Sequence, residues 1–253
     1  MEEKKDSKQS YEVLKYLADI ESTLLNNTDA FEYIKQMIEI NPKLDLQERK
    51  LFFHVYKSLI DPIRENLHIF SYHIDQISFQ NKNELLSALT DLKDKEKQKL
   101  FEYCKNGCDL IKSTLLPNSE NVQAQVFYEK LQADLNRYSA EFADDEELPI
   151  YLNKADELYK TALETANQNL GVSDPIFLGT TLNYSVFLKE HLKLATNAID
   201  LIRDAINNAH QNYKELSDGS TKEASDIIKI MQQNYKSWIA KDEDGEEKEE
   251  EDV

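Results

Sequence analysis

A chain of 253 residues, 40% of them hydrophobic and with only five Gly and five Pro, can bury a sizeable core and makes few tight turns, so long helices are the default reading. Its formal net charge of −18 repels nucleic acid and anionic lipid and directs attention to protein partners of basic or mixed charge. No apolar run approaches the roughly 20 residues that span a bilayer, and the charged start Met1-Glu2-Glu3-Lys4-Lys5 lacks an apolar h-region, so neither a secretory signal nor membrane association is expected.

Amphipathic stretches run at 9–25, 28–40, 45–80, 82–115, 120–143, 147–169, 175–191, 194–215 and 222–240, which predicts nine helices and no strand. Chemical breaks separate them. Asn41-Pro42 ends one helix and Asp45 caps the next, after which Leu46, Phe53, Tyr56, Ile60 and Ile63 recur at helical spacing. Pro117 marks a second break, with Asn118 or Ser119 as the N-cap that follows. The acids Asp144 to Glu147 precede Pro149, which a first helical turn accepts. Gly171 suits a helix C-cap, and Pro175 the start of the next helix. Ser217 to Ser220 is the last break. The short connections favour antiparallel neighbours. With no Pro/Gly/Ser linker and no fixed repeat, residues 1–240 read as one all-α domain. The segment Lys241–Val253 holds nine acids and two lysines, carries −7 and leaves −11 on the body; it has too little apolar surface to order itself and is expected to be disordered.

The residue types that carry catalysis are not grouped. There is no glycine-rich phosphate loop, GxSxG elbow or HExxH pair, and His54, His68, His73, His191 and His210 are scattered. Cys104 and Cys108 share a helical face but lack the further Cys or His of a zinc site. They read as buried or idle thiols, with a redox pair as the alternative, and the lack of a disulfide framework fits a reducing, cytoplasmic compartment. We therefore expect a binding protein, not an enzyme, with no metal and no cofactor.

The cations are more informative. Lys57 and Arg64 are seven apart, two turns along one face, and so are Lys130 and Arg137, with Tyr138 adjacent. Asp134 and Glu141 stand three before and four after Arg137, and either can pair with it. The surrounding segments, Arg49 through Tyr56 and Lys57, Val126 through Arg137, Tyr138 and Glu141, Leu178 through Leu182, Asn183, Val186 and Glu190, and Ile230 through Asn234 and Trp238, resemble the 14-3-3 proteins in order and spacing over nearly the whole chain.

The resemblance implies a nine-helix antiparallel bundle with a cup-shaped groove, and a dimer, homo- or hetero-, that binds phosphoserine or phosphothreonine segments of partner proteins and regulates them. By position, Arg64 and Arg137 would fork onto the phosphate while Tyr138 donates its hydroxyl and Lys57 adds charge. Two guanidinium forks and a phenol suit a dianion with three acceptor oxygens. Lys130 matches a further groove cation. Asn183 and Asn234 match amides that hold the peptide backbone, Glu190 and Trp238 a pair that closes on the ligand, and Leu182, Val186, Ile227 and Ile230 an apolar wall. For Leu182 and Val186 ordinary core packing is the competing reading. Dimerisation is implied through the first four helices, with Asp29 and Lys95 as a kept ion pair and Ile20 and Leu24 as apolar contacts. The pattern also departs from the family: Ile63 and His68 stand where Arg is usual, Asn26 and Lys99 replace a second ion pair, and Pro62 lies inside the third helix, where a kink would re-aim Arg64. The alternative is a helical interaction scaffold that has lost phosphate dependence.

Overall fold

The computed structural model describes residues 9–80, 82–212 and 218–251, with side chains over 9–80, 82–209 and 222–240. Among the described residues it holds nine α-helices and no strand, which is the all-α class. The helices are α1 (Tyr11–Thr23), α2 (Asn27–Ile40), α3 (Leu46–Ser78), α4 (Asn83–Leu110), α5 (Val122–Ala140), α6 (Leu148–Asn169), α7 (Pro175–Glu190), α8 (Ala195–Asn212) and α9 (Asp218–Glu251). None is long and apolar enough to cross a membrane. The helices gather into two compact units, Met1–Glu120 and Asn121–Val253.

In the first unit helices adjacent in sequence pack together, α1 on α2, α2 on α3 and α3 on α4. The entry to α3 is a full capping box. The Asp45 carboxylate accepts from the Glu48 backbone N–H at 2.8 Å and the Glu48 carboxylate accepts from that of Asp45 at 2.8 Å, which satisfies two donors that a helix start otherwise leaves orphaned. Glu48 also takes Lys15 Nζ at 2.8 Å, tying α1 to this corner. The core here is built on Phe31, Phe52 and Tyr56, whose rings lie 5.0–6.4 Å apart.

Helix α3 runs unbroken through Pro62. An interior proline removes one backbone bond and costs about 3 kcal/mol. Ile60, Ile63 and Leu67 around it are all buried, and each such aliphatic side chain contributes roughly 1.5–3 kcal/mol; packing therefore outweighs the lost bond. At its other end α4 widens into a π-helical turn, Ile111–Leu115, which buries Ile111 and Leu115.

One expected cap is corrected. Asn118 and Ser119 do not start α5, because their side chains donate backwards to the carbonyls of Thr114 and Leu115 and close the preceding turn. The cap is Asn121, whose Oδ1 accepts from Ala124 N at 2.8 Å. Before α7, Asp174 caps Ile176 N at 2.8 Å and Pro175 takes the first turn.

In the second unit α7 is central and packs on α5, α6, α8 and α9. That position explains its composition: Phe177, Leu178, Tyr184, Phe187 and Leu188 are buried, and the buried hydroxyls of Thr180, Thr181 and Ser185 return to carbonyls of their own helix. Helix α6 lines one face with Ala155, Tyr159, Ala162 and Ala166, all buried. The alanines leave room for close helix approach, and the Tyr159 ring packs between Tyr184 and Phe187 at 5.5 and 5.4 Å. Ser217 lies outside the described residues, and α9 begins at Asp218. The helix runs through Glu251, past the limit of 240 expected from the amphipathic pattern.

Candidate binding site

The candidate groups fall in two sets, one in each unit. In the first unit, Lys57, Asp61 and Arg64 follow each other at i, i+4 and i+7 on α3 and so share one face. A single carboxylate links the two cations: Asp61 Oδ2 pairs with Lys57 Nζ, and Asp61 Oδ1 lies 3.2 Å from Arg64 Nη1. All three side chains keep contact with solvent, at 44%, 39% and 22% exposure. Ile63 points into the core, while His68 is exposed.

The second unit holds a tighter arrangement, centred on α5. Thirteen of its nineteen residues are buried, among them the polar Glu129, Gln132, Asp134, Asn136 and Ser139. So many polar groups on a buried helix need partners. Asp134, fully buried, has several. Its carboxylate accepts from Lys130 Nζ at 2.8 Å, from the Tyr159 hydroxyl at 2.5 Å and from Asn183 Nδ2 at 2.9 and 3.1 Å, and Arg137 Nη2 stands 3.8 Å away. Burial opposes ionisation of Asp134, but Lys130 and Arg137 more than offset it, and its carboxyl is held below the usual range.

Arg137 is fixed from several directions. Its Nε donates to the Tyr159 hydroxyl at 3.2 Å, its Nη1 pairs with Glu141 at 3.1 Å, and its guanidinium lies 4.5 Å from the centroid of the Tyr138 ring. Burial works against its charge, yet Tyr159, Asp134, Tyr138 and Glu141 together raise its pKa above the ordinary arginine value. Both acids read from the sequence as partners of Arg137 are therefore partners. Asn183 spends its amide nitrogen on Asp134, which sets its carbonyl oxygen as the remaining acceptor.

Leu182, Val186 and Glu190 recur every fourth residue on α7. The first two are half-buried and packed against the unit's core, and Glu190 is exposed. Ile227, Ile230, Asn234 and Trp238 form a stripe on α9, which packs on α7. Ile227 is half-buried against the core, Ile230 is 46% exposed, Asn234 is intermediate and Trp238 is buried in the core cluster. Leu182 and Val186 thus also do core work, the competing reading. Two groups were not singled out from the sequence. Tyr159 comes from α6, and no local pattern ties it to α5. Asp61 was readable, since it stands four after Lys57 and three before Arg64, the spacing of helical ion pairs. Among the described residues no group of His, Cys, Asp or Glu is arranged to hold a metal ion; Cys104 is buried and Cys108 half-buried, and neither is in a disulfide.

These features describe an all-helical protein whose cations are held in place by acids and a phenol. The family model described as 14-3-3 protein matches residues 17–239. The chain is 29% identical over 231 residues to 14-3-3 protein 2 of Entamoeba histolytica, covering 91% of this chain and 97% of that one. It is 30% identical over 206 residues to a 14-3-3 protein homolog of Neospora caninum, covering 80% and 77%. It is 28% identical over 225 residues to the checkpoint signal transducer rad24 of Schizosaccharomyces pombe, covering 89% and 83%. The chain belongs to the 14-3-3 family, a family of phosphopeptide-binding adaptors.

Proposed function

We propose that the protein is a cytoplasmic adaptor that binds phosphoserine- or phosphothreonine-containing segments of partner proteins and regulates them. Lys57, Arg64, Arg137 and Tyr138 are its phosphate-binding residues, by their match to the family pattern. Lys130, Asn183 and Asn234 hold the flanking peptide, Leu182, Val186, Ile227 and Ile230 give it an apolar wall, and Glu190 and Trp238 close on it. The observation that carries this reading is the state of Arg137: charged, stacked on Tyr138 and fixed by Tyr159 and Glu141. A guanidinium held in this way loses little freedom when it meets a phosphate, which favours tight and directional binding.

The adaptor acts as a dimer. Val13, Tyr16 and Ile20 on α1 and Leu24 at its C-cap form a stripe that is 37–67% exposed, and Asp29 and Lys95 are exposed as an inter-subunit pair requires. A second copy of the chain covers this stripe. The test of function is a calorimetric titration with a peptide carrying one phosphoserine and its unphosphorylated twin. Binding confined to the phosphorylated peptide supports the adaptor; equal binding of the two supports the scaffold that has lost phosphate dependence.

A further inference from the structure

Asp61 sits between the two cations assigned to the phosphate in the first unit, and each of its carboxylate oxygens faces one of them. We infer that Asp61 is a built-in competitor: a carboxylate that occupies Lys57 and Arg64 when no phosphate is bound and must be displaced when one arrives. This rests on the phosphopeptide reading and adds to it a residue that sets affinity.

The contrast with Asp134 carries the argument. Asp134 is buried, receives hydrogen bonds from three side chains, and belongs to three helices at once through Lys130, Tyr159 and Asn183. Removing it would leave cations buried without compensation. Asp61 is 39% exposed at its side chain, and its two ion-pair partners stand on its own helix one turn away on either side. A change of its side-chain rotamer withdraws the carboxylate without moving the backbone. Exposed helical ion pairs of this kind contribute little to stability, so the fold does not depend on them.

Charge decides the direction of the effect. A phosphoserine carries about −1.5 to −2 and three acceptor oxygens, against −1 and two for a carboxylate. Phosphate therefore wins the exchange, but it must break both ion pairs and then lie close to a retained negative charge. Two solvent-accessible pairs, one exposed and one part-buried, at about 0.3–1 kcal/mol each convert to a loss of affinity of roughly three- to thirtyfold.

The test compares wild type, Asp61→Asn and Asp200→Asn for binding a fluorescent peptide with one phosphoserine and its unphosphorylated twin, at low and high salt. Asp200 pairs with Arg203 on α8, which carries none of the candidate groups, and so controls for net charge. Asp61→Ala repeats the measurement with a side chain that favours helix, and melting temperatures report folding. The proposal expects Asp61→Asn and Asp61→Ala to bind the phosphopeptide roughly three- to thirtyfold more tightly than wild type, the twin to be unaffected, Asp200→Asn to match wild type, and the gain to shrink in salt. Unchanged or weaker binding in both Asp61 variants, while wild type still discriminates the two peptides, overturns the proposal alone and makes Asp61 a positioning group. An equal gain in Asp200→Asn also overturns it, in favour of net charge. Failure of every protein to discriminate the two peptides overturns the phosphopeptide reading, and the proposal with it.

Discussion

The Tyr159 hydroxyl donates to Asp134 at 2.5 Å and accepts from Arg137 Nε at 3.2 Å, so one phenol joins the buried acid to the arginine that the family pattern assigns to phosphate. Burial and the neighbouring Asp134 push the phenol well above its ordinary pKa, which keeps the donating proton in place. Tyr159→Phe keeps the ring between Tyr184 and Phe187 and removes only the hydroxyl. Leaving Asp134 short of a donor should cost about 1–3 kcal/mol, read as a lower midpoint in urea unfolding. Phosphopeptide affinity should fall with it, because Arg137 loses the partner of its Nε.

Asp134→Asn tests the hub itself. Lys130 and Arg137 would keep their charges in a buried setting without the carboxylate that balances them. Breaking a buried pair of this sort costs about 3–5 kcal/mol, so unfolding in denaturant at neutral pH should begin at markedly lower concentration than for wild type. A change below about 1 kcal/mol would show that solvent or Glu141 already screens these cations.

Much of the fold was legible because the signals were local. Asp45 was read as a helix cap and Pro175 as a first-turn residue, and both stand where they were read; the structure adds Glu48 as the second half of the Asp45 capping box and Asp174 as the cap before Pro175. The error at Asn118 and Ser119 has a physical source. Both residue types cap helix starts, but they also bond back to carbonyls of a preceding turn, and here the π-helical turn Ile111–Leu115 supplies such carbonyls. The candidate cations and amides were named through the family pattern, and Asp134 and Glu141 were readable as partners of Arg137 from their helical spacing, whereas Tyr159 was not. Tyr159 lies 22 residues from Arg137, on another helix, and only tertiary packing makes them neighbours. Asp61 has the spacing of a helical ion pair with both Lys57 and Arg64, but that spacing alone does not mark a carboxylate as part of a site.

His191 makes stability depend on pH. Burial, and then the charge of Arg137, hold its imidazole below the ordinary value of 6.5, and its ring packs 5.7 Å from Phe187. The folded state thus binds the proton less readily than the unfolded chain. The contribution to stability is fully present above about pH 6.5 and is lost as pH falls towards the lower folded value. Thermal unfolding followed at pH 7.5 and at successively lower pH should show a declining midpoint, and His191→Gln should flatten that decline. An identical profile in the variant would assign the decline to other groups.

The stripe on α1 predicts assembly. Ile20 and Leu24 are 37% and 61% exposed and stand one turn apart. A buried lysine without a partner at an interface is costly, so Ile20→Lys should convert a dimer to monomer in sedimentation at micromolar concentration while the helical content stays that of wild type. A variant that remains dimeric would move the interface away from α1.

The central claim is that the protein binds phosphoserine through Arg64 and Arg137. The affinity of a phosphoserine peptide and of its unphosphorylated twin for wild type, Arg64→Ala and Arg137→Ala tests it most directly. Arg137→Ala should cost about 2–5 kcal/mol in phosphopeptide binding, the penalty for truncating one side of a hydrogen-bonded charge pair. Arg64→Ala should weaken binding of the same peptide, while neither variant changes the twin. Phosphopeptide affinity that stays at the wild-type value in both variants would contradict the claim.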